Sequence, residues 1–168
     1  MKLEALYKIS YGLYVVTSVK DGAFAGQIAN TVFQVTSEPP KIAACLNKKN
    51  TTHEYVKNSK VFSVSVLEKD TPLQFIGIFG FRSSRDFNKF KDVNFKIGKT
   101  GTPIVLDYSV AFFEAEVEKE LDVGTHTIFV GKVIDAEILK EAEVMTYAYY
   151  HLVKRGKTPK TATVYLEK

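Results

Sequence analysis

Between Leu46 and His53 the chain reads Leu-Asn-Lys-Lys-Asn-Thr-Thr-His, leaving an apolar, strand-like stretch and entering a helical one. A helix start has backbone N–H groups without intrahelical partners and carries the positive end of the helix dipole. Leu46, Asn47, Lys48, Asn50, Thr51 and Thr52 bring amide, ammonium and hydroxyl groups to that place, a set into which a phosphate monoester fits. The same letters have a plainer reading, in which Asn50 or Thr51 caps the helix and the lysines stand in water.

The three histidines, His53, His126 and His151, include no pair at the i, i+4 spacing of a helical zinc site, so no metal is expected. His126 follows Val123-Gly124-Thr125 between two long apolar runs, where a turn presents it at one end of a sheet or leaves it as a solvated loop imidazole. Cys45 is the only cysteine, which excludes an internal disulfide and reads as a small buried hydrophobe. No Ser-His-carboxylate order or carboxylate pair supports hydrolysis. No G-x-G-x-x-G occurs, and Gly98-Lys99-Thr100 has Val93 where a P-loop requires glycine. A nicotinamide cofactor would therefore be bound without a Rossmann unit.

The elements that position these residues are mostly strands. Gly12 to Val19 is rich in β-branched and aromatic residues, Lys20-Asp21-Gly22 signals a turn, and Ala23 to Ala29 is the partner. Lys41 to Leu46 follows the stiff Pro39-Pro40 pair, and Val61 to Leu67 alternates cleanly. Val110 to Leu121 and Thr127 to Leu139 are the longest. In the first of them Ala111, Phe113, Ala115 and Val117 are expected to face the core while Glu114, Glu116 and Glu118 face water. Helices are expected at Met1 to Lys8, Thr51 to Asn58, Pro72 to Phe79 and Val144 to Arg155. Short helices among long antiparallel strands make the fold mainly β (α+β), coiled or closed into a barrel.

With 168 residues, 45% hydrophobic and 25% charged, the composition is that of a soluble globular chain, and no linker or repeat divides it, so one domain spanning 1–168 is expected. No apolar run reaches membrane-spanning length and the first residues do not resemble a signal peptide, which points to the cytoplasm. The net charge of +4 is spread along the chain, favouring a local anionic ligand over a nucleic-acid groove.

Several ordered motifs together resemble one family, the flavin reductase-like FMN-binding split barrels, and within it flavoredoxins and the flavin domain of high-molecular-weight rubredoxins. They are ALYKISYGLYVVT from Ala5, GQIANTVFQVTSEPP from Gly26, NKKNTTHEY from Asn47, FGFRSSRDFNKF from Phe79, GTHTIFVGKV from Gly124 and YHLVKRGKT from Tyr150. The resemblance implies an antiparallel split β-barrel and FMN as cofactor. Gln27, Ile28, Ala29, Asn30 and Thr31 would lie along the flavin ring, and Leu46, Asn47, Lys48, Asn50, Thr51 and Thr52 around its phosphate. Arg85 and Lys89 would approach the phosphate or the ring carbonyl edge, His126 would act beside flavin and nicotinamide as the catalytic residue, and Tyr165 would stack near the ring.

The implied activity is that of an NAD(P)H-dependent flavin reductase, passing electrons to free flavin, ferric complexes or a small redox protein such as rubredoxin. Two alternatives stand beside it: a flavoredoxin-type carrier without productive nicotinamide binding, and a non-catalytic FMN-binding module. Thr125 occupies a position where many flavin reductases have aspartate, which favours the carrier. A homodimer is implied, and neither nucleic acid nor membrane is an expected partner.

Overall fold

The computed structural model describes residues 1–165. Among these described residues nine strands are present: β1 Tyr14–Lys20, β2 Ala23–Ala29, β3 Val32–Ser37, β4 Pro40–Asn47, β5 Val61–Leu67, β6 Phe95–Ile97, β7 Pro103–Val105, β8 Ser109–Asp122 and β9 His126–Ile138. Three α-helices accompany them: α1 Thr51–Ser59, α2 Leu73–Gly80 and α3 Tyr147–Leu152. Seven strands form one antiparallel sheet in the order β2-β1-β5-β8-β9-β4-β3, and β6 and β7 pair separately. The sheet curls so that β2 and β4, far apart in that order, approach across a gap. This is the split barrel implied by the resemblance.

Local chemistry sets the first hairpin. Lys20 pairs with Ala23, leaving Asp21 and Gly22 as a two-residue loop, both with positive φ (49° and 75°). Such a loop matches the twist of the strands it joins. At the other end, Asp122 pairs with Thr127, and Gly124 (φ 95°) turns the chain so that His126 becomes the first residue of β9.

The core has two parts. Val16, Ala29, Ile42, Ala44, Leu46, Phe62, Val64, Ala115 and Phe129 fill the barrel, with Val56 of α1 among them. A second cluster packs outside it, where Phe75, Ile76 and Phe79 of α2 meet Leu13, Val15, Leu67, Phe90, Val105, Met145 and Tyr150.

Several sequence expectations are corrected. Met1 to Lys8 is not an α-helix: Leu3–Lys8 is a 3-10 helix with no buried residue, since too few of its apolar groups find a surface. The helix expected over Val144 to Arg155 covers only Tyr147–Leu152. Before it, Val144 and Thr146 make single bridges to Glu68 and Gly12. Strands β3, β6 and β7 lay outside the expectations.

Glu114 does not face water. It is fully buried, because the β6–β7 hairpin covers that face of β8. The loop of the hairpin wraps the carboxylate, which accepts the amides of Lys99 (2.9 Å) and Thr100 (3.0 Å) and the Thr100 hydroxyl (2.7 Å). Gly98 permits this approach, for a Cβ there would lie 2.1 Å from Glu114 Oε1.

Candidate functional site

A cavity of about 350 Å³ opens where β2, β4, the start of α1 and the end of α2 converge. Its size is that of a small-molecule cofactor site. At the helix entrance, Asn47, Lys49, Asn50, Thr51 and Thr52 line it. Asn47 shapes this turn: its side-chain oxygen accepts the Lys49 amide (2.9 Å), and its carbonyl accepts the Asn50 amide (3.0 Å). Asn50 stands at the N-cap of α1, yet its side chain makes no capping bond. The cap reading of Asn50 therefore fails, and the first-turn amides of α1 keep their donor capacity toward the cavity.

Gly26, Gln27, Ile28, Ala29 and Asn30 of β2 and its end form a second wall. The Thr31 hydroxyl donates to Asn30 Oδ1 (3.1 Å), fixing the amide so that Nδ2 is left over. Three buried side-chain atoms have no hydrogen-bond partner among the described residues: Gln27 Oε1, Asn30 Nδ2 and His126 Nε2. A buried unpaired polar atom costs about 1–3 kcal/mol, so Gln27 and Asn30, which both line the cavity, ask for a polar ligand there.

Cys45 and Asn47 project from β4 into the cavity while Leu46, one residue out of phase, is buried in the barrel. His126 pairs with Asn47 across the β4–β9 ladder and so shares its face, just beyond the cavity lining. Its Nδ1 is 2.9 Å from the Thr125 hydroxyl. Burial pushes its pKa down, opposed by the Thr161 backbone, so the ring is neutral above its ordinary value of 6.5. Burial raises the Cys45 thiol, partly offset by the Thr163 hydroxyl.

The segment after α2 closes the third side through Phe81, Arg82, Ser83, Ser84 and Lys89. Lys89 is only 4% exposed, and its ammonium donates to the carbonyls of Gly26 (2.7 Å) and Phe79 (3.1 Å), tying β2 to α2. Burial lowers its pKa to about 8. The chain after α3 supplies the fourth side, with Lys157 and Pro159 to Thr163. That segment is pinned by α3: Tyr150 donates to the Lys157 carbonyl (2.8 Å), and the Thr158 hydroxyl meets Tyr147 Oη (2.8 Å) and His151 Nε2 (2.9 Å).

Not every residue singled out from the sequence reaches the cavity lining. Lys48 pairs with Asp122 at 2.6 Å, Arg85 pairs with Glu54 at 2.9 Å, and Leu46, Thr31 and Tyr165 lie behind or outside it. Lys49 and Arg82 stand there instead, one and three residues away in sequence, and no local signal separates them from their neighbours. His53 belongs to the core, with Nε2 2.8 Å from the Thr127 hydroxyl and its ring against Phe129. Among the described residues no cluster of three His, Cys, Asp or Glu could hold a metal ion.

Comparison with known proteins gives consistent results. The family model for the flavin reductase like domain matches residues 6–156. The chain is 64% identical over 167 residues to a ferric-chelate reductase (NAD(P)H) of Archaeoglobus fulgidus, covering 99% of both chains. It is 49% identical over 165 residues to a high molecular weight rubredoxin of Moorella thermoacetica, covering 98% of this chain and 72% of that one. Among solved structures, the NADH:FAD oxidoreductase of Streptomyces globisporus superposes with a TM-score of 0.78 at 26% identity, over 87% of this chain and 86% of the other.

Proposed function

Because the chain belongs to the flavin reductase like family, we propose that its cavity holds FMN as a bound cofactor, loaded from NAD(P)H and emptied onto a second acceptor. The protein is an NAD(P)H-dependent oxidoreductase of the flavin reductase type. Its acceptors are free flavin, ferric complexes or a small redox protein such as rubredoxin, the last two matching the names of two relatives reported above.

The observation that carries the cofactor assignment is the set of unpartnered atoms on the cavity walls. An acceptor at Gln27 Oε1 and a donor at Asn30 Nδ2 suit a heterocycle whose edge alternates N–H and C=O, as the pyrimidine end of a flavin does. When bound, FMN supplies the hydride-accepting chemistry, and the chain supplies grip and electrostatics. Asn47, Asn50, Thr51 and Thr52 hold the phosphate with the first-turn amides of α1, assisted by Lys49. Gln27, Ile28, Ala29 and Asn30 lie along the ring, with Thr31 orienting Asn30.

Lys48 and Arg85 act at one remove, fastening the loops that frame the phosphate, and Leu46 anchors the strand beneath it. Lys89 fixes the Gly26 carbonyl and so the start of the ring-binding strand. His126, held neutral by burial, orients the reacting rings. Tyr165 has no place in this scheme, as it does not line the cavity.

The chain acts as one domain in the cytoplasm; among the described residues no helix is long and apolar enough to cross a membrane. It works as a homodimer. Support comes from one sheet face on which exposed Phe33, buried Ala43, half-buried Val130 and Ile128, and exposed Leu121 follow one another across β3, β4, β9 and β8, with Lys119 beside Val130. Phe33 and Leu121 are 50% and 59% exposed, and the face runs directly into the Cys45 wall of the cavity.

A carrier that receives electrons from a protein donor is the second reading, favoured by Thr125, which stands where many flavin reductases have aspartate and whose hydroxyl lies 2.9 Å from His126 Nδ1. Anaerobic mixing of the FMN-loaded protein with NADH or NADPH separates the two. Fast bleaching of the flavin band is expected, slowed on the order of ten- to a hundredfold in His126→Ala. Bleaching only by a reduced redox protein would establish the carrier, and an unchanged rate in His126→Ala would remove that residue from the mechanism.

A further inference from the structure

Among the described residues the cavity lining contains Lys49, Arg82, Lys89, Lys157 and Lys160, and no aspartate or glutamate. The nearby carboxylates are already engaged by cations outside it: Glu54 holds Lys20 and Arg85, and Asp122 holds Lys48. By contrast, Lys49, Arg82, Lys157 and Lys160 form no ion pair among the described residues. Among the described residues, then, charge is neutralised beside the cavity and left without a carboxylate partner at its opening. A phosphate monoester brings a charge of about −1.5 to −2 at neutral pH, which offsets roughly two of these five cations. Lys49 and Arg82, beside the α1 entrance, are placed for that task, whereas Lys157 and Lys160 come from the segment after α3 and have no assigned anion.

These two lysines are held in place. Tyr150 fixes the Lys157 carbonyl, Tyr147 and His151 fix Thr158, and Gly156 lets the chain cross the Tyr150 ring, since a Cβ there would sit 2.1 Å from its Cζ. The stretch that follows Lys160 then runs past His126 and Cys45, beside the wall where the reacting ring would be reached. A positively charged mouth with low-dielectric walls raises the local concentration of anions and hastens their arrival.

We infer that Lys157 and Lys160 form the docking site for the electron acceptor and select anionic ferric chelates over neutral or cationic complexes. The inference rests on the flavin assignment above. The hydride taken from NAD(P)H leaves as two electrons and one proton: two ferric chelates each take one electron and become ferrous, and the proton passes to solvent.

Two measurements test it. In the first, the FMN-loaded protein is titrated calorimetrically with redox-inert hexacyanocobaltate(III) and with hexaamminecobalt(III). The anion is expected to bind and the cation not, with anion affinity falling about tenfold or more in K157E/K160E and by less in K157Q/K160Q. In the second, pre-reduced protein is reoxidised by hexacyanoferrate(III) or hexaammineruthenium(III). The ratio of the two rates, which divides out flavin content, should favour the anion, decline as salt rises and invert in K157E/K160E.

Equal binding of both cobalt complexes or an unaltered ratio in the variants would overturn the inference. The calorimetric arm involves no electron transfer, so failure of NAD(P)H to bleach the flavin would count against the oxidoreductase reading while leaving the docking site standing.

Discussion

At the residue scale, Lys89 has a measurable signature. Its pKa falls from 10.5 to about 8 because burial penalises the ammonium, so between those values the unfolded chain binds more protons than the folded one. Stability then rises with pH across that window, and the cost of burying the charge, about 3 kcal/mol, is fully present below it. Urea denaturation of the wild type and Lys89→Met should give a stability difference that shifts in favour of the wild type from about pH 8 to 10.5; a flat difference would mean the Gly26 and Phe79 carbonyls hold the proton as firmly as water does. The same scale shows where sequence reading stops. The run from Asn47 to Thr52 pointed to an anion site through residue types alone, and most of its members line the cavity proposed to hold the phosphate. Lys48 could not be told from Lys49, nor Arg85 from Arg82. Their partners, Asp122 and Glu54, lie 74 and 31 residues away in the chain.

At the element scale, strands whose two faces differ were legible and those with other constraints were not. The β1–β2 hairpin was readable because Asp21-Gly22 dictates its turn, and β5 because its side chains alternate. Strand β3 escaped because five of its six residues are exposed on an edge, so burial does not alternate between its faces. The burial of Glu114 was unreadable because the loop that wraps it follows a three-residue strand. This wrapped carboxylate holds the β6–β7 hairpin to the sheet. Glu114→Ala should cost about 3–5 kcal/mol by stranding the amides of Lys99 and Thr100. Gly98→Ala alone should also destabilise strongly, since its Cβ would meet the carboxylate. In chemical denaturation the double variant should lose clearly less than the two single losses combined, because removing Glu114 removes the clash; additive losses would refute the coupling.

At the scale of the whole molecule, the open sheet face carrying Phe33 and Leu121 predicts self-association. Sedimentation of the wild type should give a dimer, and Phe33→Lys with Leu121→Lys should shift it to monomer without altering the far-ultraviolet spectrum. A wild-type monomer would exclude that face as the interface. The resemblance had supplied the barrel as a whole, which patterning reached only as a coiled or closed sheet, because closure depends on contacts between β2 and β4 that no local signal encodes. Those two strands flank the same cavity yet share no ladder. A molecule gripped by Asn30 on one bank and Asn47 on the other becomes the rivet of a cylinder that hydrogen bonds leave ajar. Loaded as proposed, such a cylinder resists unrolling, and survival under protease should rise with the amount of the vitamin-derived nucleotide supplied.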